Sequence, residues 1–153
     1  MIRAFGILLG LSAVLLVQGC STGPSVGGQE PYQGQFAAGV VLPGGPYGEA
    51  VQRRLIAELD ASGRFAGVFP LRSSSQNTEV EIIVEPTVVS ARTASRGFER
   101  LDLRVTAFRK PSRTSAFNKT YQGKASGNGD ALNDVANSVA RDITRRFGAK
   151  PVF

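Results

Sequence analysis

An apolar stretch near the amino terminus constrains this chain most. It covers residues 7–17, follows Arg3, and ends at Gly19 and Cys20 before a polar, glycine-rich segment. A basic residue, a short apolar core and a small residue at its end are typical of a secretory signal peptide. The core is too short for a membrane-spanning helix, which needs about 20 apolar residues. We therefore expect residues 1–19 to be a signal peptide and the folded domain to begin later.

Cys20, the only cysteine of the chain, closes that stretch. The segment Val17-Gln18-Gly19-Cys20 resembles the lipobox of bacterial lipoproteins. That resemblance implies cleavage before Cys20 and a diacylglycerol on its sulfur, which would anchor the protein in a membrane. Ser21 is not the aspartate that enterobacterial lipoproteins use for inner-membrane retention, so the expected location is the outer membrane, with the domain in the periplasm. A plain secretory signal and an uncleaved anchor are the alternatives.

The absence of His and of a second Cys restricts the chemistry of the chain. Zinc, copper and haem sites depend on imidazole or thiolate ligands, and Ser-His-Asp and Cys-His catalysis needs an imidazole. A lipidated Cys20 would leave no thiol for a disulfide, so the domain would depend on its apolar core. We therefore expect no metal, no cofactor and no enzymatic activity.

Residues 21–35 contain Gly, Pro, Ser and Gln but few side chains able to build a core. Such a composition is typical of a flexible tether, with a root-mean-square span of roughly 20 Å for about 15 residues. The sequence thus divides into a signal peptide (1–19), a lipidated cysteine with a tether (20–35), and a single domain (36–153).

Hydrophobic periodicity predicts the elements of that domain. A buried strand over 36–42 is followed by an amphipathic helix that ends near Gly63, and then by a short edge strand that Pro70 stops. Alternation from Glu79 to Glu85 predicts a strand that Pro86 interrupts, with a bent or bulged continuation. Residues 101–107 and 116–123 alternate as an antiparallel hairpin. The last helix begins at an Asp130 cap and carries an apolar stripe of Leu132, Val135, Val139, Ile143 and Phe147.

These elements predict a two-layer α/β (α+β) domain, in which two amphipathic helices cover one face of a mixed sheet of about four to five strands. The other face is polar except for a few apolar side chains, above all Ile83 and Phe108. We expect Ile83 and Phe108 to form an assembly face.

Basic residues are concentrated in the hairpin region. Nine lie between residues 92 and 124, against only two acidic residues, although the whole chain has a net charge of +6. One explanation is a solvated face that pairs with the acidic row Glu79, Glu81 and Glu85. The other is a surface for an anionic envelope partner, such as a lipopolysaccharide phosphate, an acidic glycan or an acidic protein rim. The contacts would then be the basic residues in loops and turns, namely Arg96, Arg109, Lys110 and Arg113. Export makes a nucleic acid an unsuitable partner.

The order of elements resembles that of small envelope lipoproteins related in fold to the TolB amino-terminal domain, the curli-secretion lipoprotein and the Pel-system lipoprotein. The matching segments are 40–43, 55–59, 63–65, 80–84, 101–123 and 132–147. The resemblance implies a non-enzymatic accessory or scaffold of an envelope assembly or export complex, working through protein partners or by self-assembly. The alternative is a binding module for anionic glycan or lipopolysaccharide. An apolar assembly interface and a charge-driven glycan site would differ in their response to salt.

Overall fold

The computed structural model describes residues 36–76, 79–111, 117–127 and 129–148. Cys20, the predicted signal peptide, the predicted tether and Arg113 lie outside the described residues. The elements are β1 Ala37–Val41, α1 Gly48–Ala61, β2 Gly67–Leu71, β3 Ile82–Ala94, β4 Gly97–Arg109, β5 Phe117–Lys124 and α2 Ala131–Phe147. Their order is the one that the hydrophobic pattern predicts.

The five strands form one mixed sheet in the order β2-β1-β3-β4-β5. β1 pairs in parallel with β2 and β3, whereas β3, β4 and β5 are antiparallel neighbours. Both helices pack on the same face of this sheet, which we call the inner face. The predicted two-layer α+β fold and the predicted hairpin are therefore confirmed.

The main core lies between the helices and the inner face. Leu55 of α1 and Ile143 of α2 are fully buried in one cluster with Leu101, Leu103 and Val105, which alternate along β4. Asp130 caps α2 as predicted, because its side chain accepts a hydrogen bond of 2.8 Å from the Leu132 amide.

Two prolines lie within strands, contrary to the prediction that they end or interrupt them. Pro70 belongs to β2, which is an edge strand, where a residue without an N–H is tolerated. Pro86 pairs with Val105, and β3 continues to Ala94. β1 pairs with β3 only as far as Val84. No strand therefore lies beside Pro86 on that side, and the missing N–H of the proline costs no hydrogen bond there. Two register shifts come later in β3, between Val88 and Ser90 and between Arg92 and Thr93. The first confirms the predicted bulge in the continuation of the strand.

Candidate interaction surfaces

The predicted assembly face is covered by the chain itself. Ile83 and Phe108 are cross-strand partners, and their exposed fractions are 0% and 7%. They form a second small core with Leu71 and Val80 on the face of the sheet away from the helices, the outer face. Gly39 makes room for this cluster, because a Cβ at that position would overlap the side chain of Leu71 and lie tightly against Val80. Ile83 and Phe108 therefore do not present a contact surface.

The predicted basic contacts do not form one site. Arg96 lies in the turn between β3 and β4, whereas Arg109 is the last residue of β4 and Lys110 follows it. A strand rises about 3.3 Å per residue, so the 13 residues of β4 separate these groups by roughly 40 Å. No small ligand spans that distance, and Arg113 lies outside the described residues.

Arg109 and Lys110 make contacts within the domain, next to the start of β1. The guanidinium carbon of Arg109 lies 4.1 Å from the ring centroid of Phe36, a cation–π arrangement. The Lys110 amide donates to the carbonyl of Glu81 at 2.8 Å, and its Nζ lies 3.5 Å from the carbonyl oxygen of Gln76. These contacts join the end of β4 to the residue before β1, to the residue before β3 and to the loop after β2.

One explanation of the basic residues was pairing with the acidic row Glu79, Glu81 and Glu85, but none of these three carboxylates forms an ion pair in the described part of the chain. Glu81 instead accepts a hydrogen bond of 2.8 Å from the Ala37 amide, and Glu85 lies opposite Thr106. The ion pairs seen in the described part of the chain use other carboxylates. They are Arg54–Glu58, Arg92–Glu99, Arg100–Asp102 and Lys119–Asp142.

A polar cluster joins β5 to α2. Asp142 Oδ2 accepts hydrogen bonds from Lys119 Nζ at 2.6 Å and from Tyr121 Oη at 2.9 Å. The hydrogen bond from Lys119 is the main cause that lowers the pKa of Asp142. Burial, followed by the hydrogen bond to Asp142, raises the pKa of Tyr121 well above its usual range. These shifts belong to a structural clamp between the two layers.

An apolar groove lies beside β2, between this strand, the start of β1 and residues 79–80. Phe69 is 50% exposed in the middle of this strand, although aromatic side chains are usually covered. The groove has a volume of about 590 Å³ and is lined by Ala37, Ala66, Phe69, Pro70, Leu71, Glu79 and Val80. Phe69 is the sequence signal that could have predicted this surface. It is an aromatic residue in a five-residue edge strand, and an edge strand has a neighbouring strand on one side only, too little to bury the ring.

The outer face of β3, β4 and β5 is polar and exposed away from the Ile83 cluster. Arg92 lies opposite Arg100, and Arg100 lies opposite Lys124, so three basic residues form one row across three strands. This basic row lines a groove of about 760 Å³ together with Glu99, Gln122, Gly123 and Ala125. The sequence count of basic residues included these three but could not show that they are neighbours.

Among the described residues, no three His, Cys, Asp or Glu side chains cluster as metal ligands would. None of the helices in the described ranges has the length and apolar character needed to cross a bilayer.

Solved structures share this fold. PelC from Paraburkholderia phytofirmans, solved as a dodecamer, matches with a TM-score of 0.54 and 15% identity over 76% of this chain and 90% of that chain. A PelC variant from the same organism, also a dodecamer, gives a TM-score of 0.55 and 14% identity over 75% and 89%. A protein from Xanthomonas campestris gives 0.50 and 10% identity over 74% and 85%.

The predicted resemblance to the Pel-type lipoprotein fold is thus confirmed at the level of structure. At such low identities the similarity shows the fold alone. No protein-family model matches the sequence, and neither does any curated protein.

Proposed function

We propose that this protein is a lipid-anchored, non-enzymatic accessory of an envelope assembly or export complex, and that it works by self-assembly. The observation that carries the proposal is the fold shared with PelC over three quarters of the chain, because that protein is solved as a dodecamer. The anchor would be a lipid on Cys20, and the domain would lie in the periplasm at the outer membrane.

The assembly that we propose is a closed ring. Such a ring needs a heterologous contact, in which two different surfaces of the same chain meet. The apolar groove beside β2 is a suitable candidate for one of them. Its lining includes Phe69, Leu71 and Val80, and exposed aromatic side chains are frequent anchors of protein interfaces. β2 is also an edge strand, so the backbone N–H and C=O groups on its free edge can pair with a strand of a neighbouring chain.

The groove also supplies a reason why the contact would resist salt. Its lining is mainly apolar, with Glu79 as its one charged side chain. Burial of apolar surface depends little on ionic strength, whereas exposed charges are screened within about 10 Å at 0.1 M salt.

The test is the mass of a form that lacks residues 1–20, measured by light scattering at low and high salt. The proposal predicts an oligomer of one defined mass at both salt concentrations. A monomer at both, over the whole accessible concentration range, would contradict it. An oligomer that dissociates at high salt would contradict the apolar contact.

A further inference from the structure

The basic row on the outer face is an unusual arrangement of charge. Neighbouring strands lie about 4.8 Å apart, so Arg92, Arg100 and Lys124 lie along a line of roughly 10 Å. Like charges placed directly opposite each other destabilise a sheet. Arg104 adds a fourth exposed basic residue on the same face, four residues from Arg100 along β4.

The acidic residues nearby only partly balance this charge. Glu99 Oε2 lies 2.9 Å from Arg92 Nε, but this pair is exposed, and exposed pairs contribute little. Asp102 lies 3.6 Å from Arg100, but it also accepts a hydrogen bond of 2.6 Å from Ser90. Lys124 has no ion-pair partner within the described ranges. The groove therefore retains a positive charge that an anion can neutralise.

The other side chains of this face are suited to sugars. Amide and hydroxyl groups can donate to and accept from sugar hydroxyls. Four exposed amide and hydroxyl side chains lie on this face, near the basic row or towards the middle of the strands. They are Thr87, Asn118, Thr120 and Gln122. Among the described residues, Val89 is the one large exposed apolar side chain on these three strands, whereas the centre of a protein interface is typically apolar.

We infer that the outer face of β3, β4 and β5 binds an acidic polysaccharide, with Arg92, Arg100 and Lys124 as the carboxylate contacts. A uronic acid polymer carries one carboxylate on each sugar. A short segment of it can therefore bring more than one carboxylate to a basic row of roughly 10 Å. Arg guanidinium groups bind carboxylates through two parallel hydrogen bonds. This site is separate from the apolar groove beside β2.

The probe is an oligogalacturonate of defined length, with a neutral dextran of the same length as the reference. Affinity is measured by calorimetry at low salt with the form that lacks residues 1–20. The variant pair is Arg92→Gln with Lys124→Gln, because neither residue is the partner of the well-covered Asp102. The matched control is Arg53→Gln with Arg141→Gln, which removes the same charge from exposed positions on the two helices.

We expect the oligogalacturonate to bind, the dextran not to bind, and the Arg92/Lys124 pair to weaken binding by about tenfold or more. The control pair should change the affinity by less than about twofold, because its charges lie on the other layer. Glu99→Gln should tighten binding, since Glu99 competes with the ligand for Arg92. A purely structural role of the row would not produce that gain.

Three results would overturn the inference. They are no binding of the uronate at low salt, equal weakening by the two variant pairs, or equal binding of an oligoglutamate of the same charge, which would indicate an acidic protein partner. A change of oligomeric mass in the Arg92/Lys124 variant, without any uronate binding, would assign the face to a second copy of the chain. Thermal unfolding checks that each variant is folded.

Discussion

Tyr121 and Asp142 are joined across the two layers of the domain by a hydrogen bond of 2.9 Å from the tyrosine hydroxyl to Oδ2. Lys119 donates to the same oxygen, so one carboxylate of α2 holds two residues of the edge strand β5. Edge strands depend on such side-chain contacts, because one of their sides has no neighbouring strand. This clamp gives two predictions on pH.

Asp142→Asn should lower the free energy of unfolding at pH 7 by about 1 to 2 kcal/mol, because a charge-assisted hydrogen bond is replaced by a neutral one. The lowered pKa of Asp142 means that its contribution is present above the pKa of the unfolded chain, about 3.9, and is lost as pH falls through the folded value. The difference between wild type and variant should therefore shrink on acidification. Urea unfolding at pH 7 and pH 3 measures this stability difference. An equal difference at both pH values would show that the charge of Asp142 does not stabilise the fold.

Tyr121 gives a second prediction, on how stability changes at alkaline pH. Its pKa is raised, so its contribution is present below the unfolded value of about 10 and is lost as pH rises above it. In a Lys119→Gln background the two proteins compared differ only at the tyrosine hydroxyl. The protein with Tyr121 should then lose more stability between pH 9 and pH 11 than the protein with Tyr121→Phe. Parallel stability curves for the two proteins would contradict this prediction.

Gly123 lets α2 approach β5 closely. A Cβ at this position would lie 2.5 Å from a methyl carbon of Val135 and 2.6 Å from the carbonyl oxygen of Ala131. Gly123→Ala should therefore destabilise the domain by about 1 to 3 kcal/mol, the usual cost of overpacking. Gly44→Ala is the matched control, since nothing lies within 4 Å of its Cβ. Denaturant unfolding compares the two, and equal stabilities would show that the helix can shift at no cost.

Substitution of Ile83 tests whether this side chain packs within one chain or between copies of the chain. The side chain is fully buried against Leu71, Val80 and Phe108. Ile83→Ala should lower the free energy of unfolding by about 2 to 5 kcal/mol, as for other large-to-small core changes. The loss should be independent of protein concentration, because the neighbours belong to the same chain. A loss that disappears at high concentration would return Ile83 to an interface between copies.

Local patterns were enough to predict the elements. The stripe from Leu132 to Phe147 gave α2, and alternation between Leu101 and Ala107 gave β4, because helix and strand periods are set by each element alone. The prediction for the prolines was wrong. The cost of a missing N–H at Pro70 or Pro86 depends on whether a strand lies on the side that the N–H would face. That is a property of the whole sheet.

Long-range packing also decided the site. The alternation around Ile83 and Phe108 showed an apolar pair on a polar face, but it could not show that Val80 and Leu71 would cover them. Likewise the basic residues of the hairpin region counted as one patch in the sequence. Only the register brings Arg92, Arg100 and Lys124 together, while the length of β4 takes Arg96 away from Arg109.

The most direct test of the self-assembly proposal compares two exposed apolar residues of similar accessibility. Phe69, 50% exposed, lies in the proposed contact groove, and Val89, 52% exposed, lies at the bulge of β3. Sedimentation of the form that lacks residues 1–20 should give an oligomer for wild type and for Val89→Ser, and a monomer or a much weaker oligomer for Phe69→Ser. An oligomer of unchanged mass and strength in Phe69→Ser would contradict the role of the groove, and a monomeric wild type would contradict self-assembly itself.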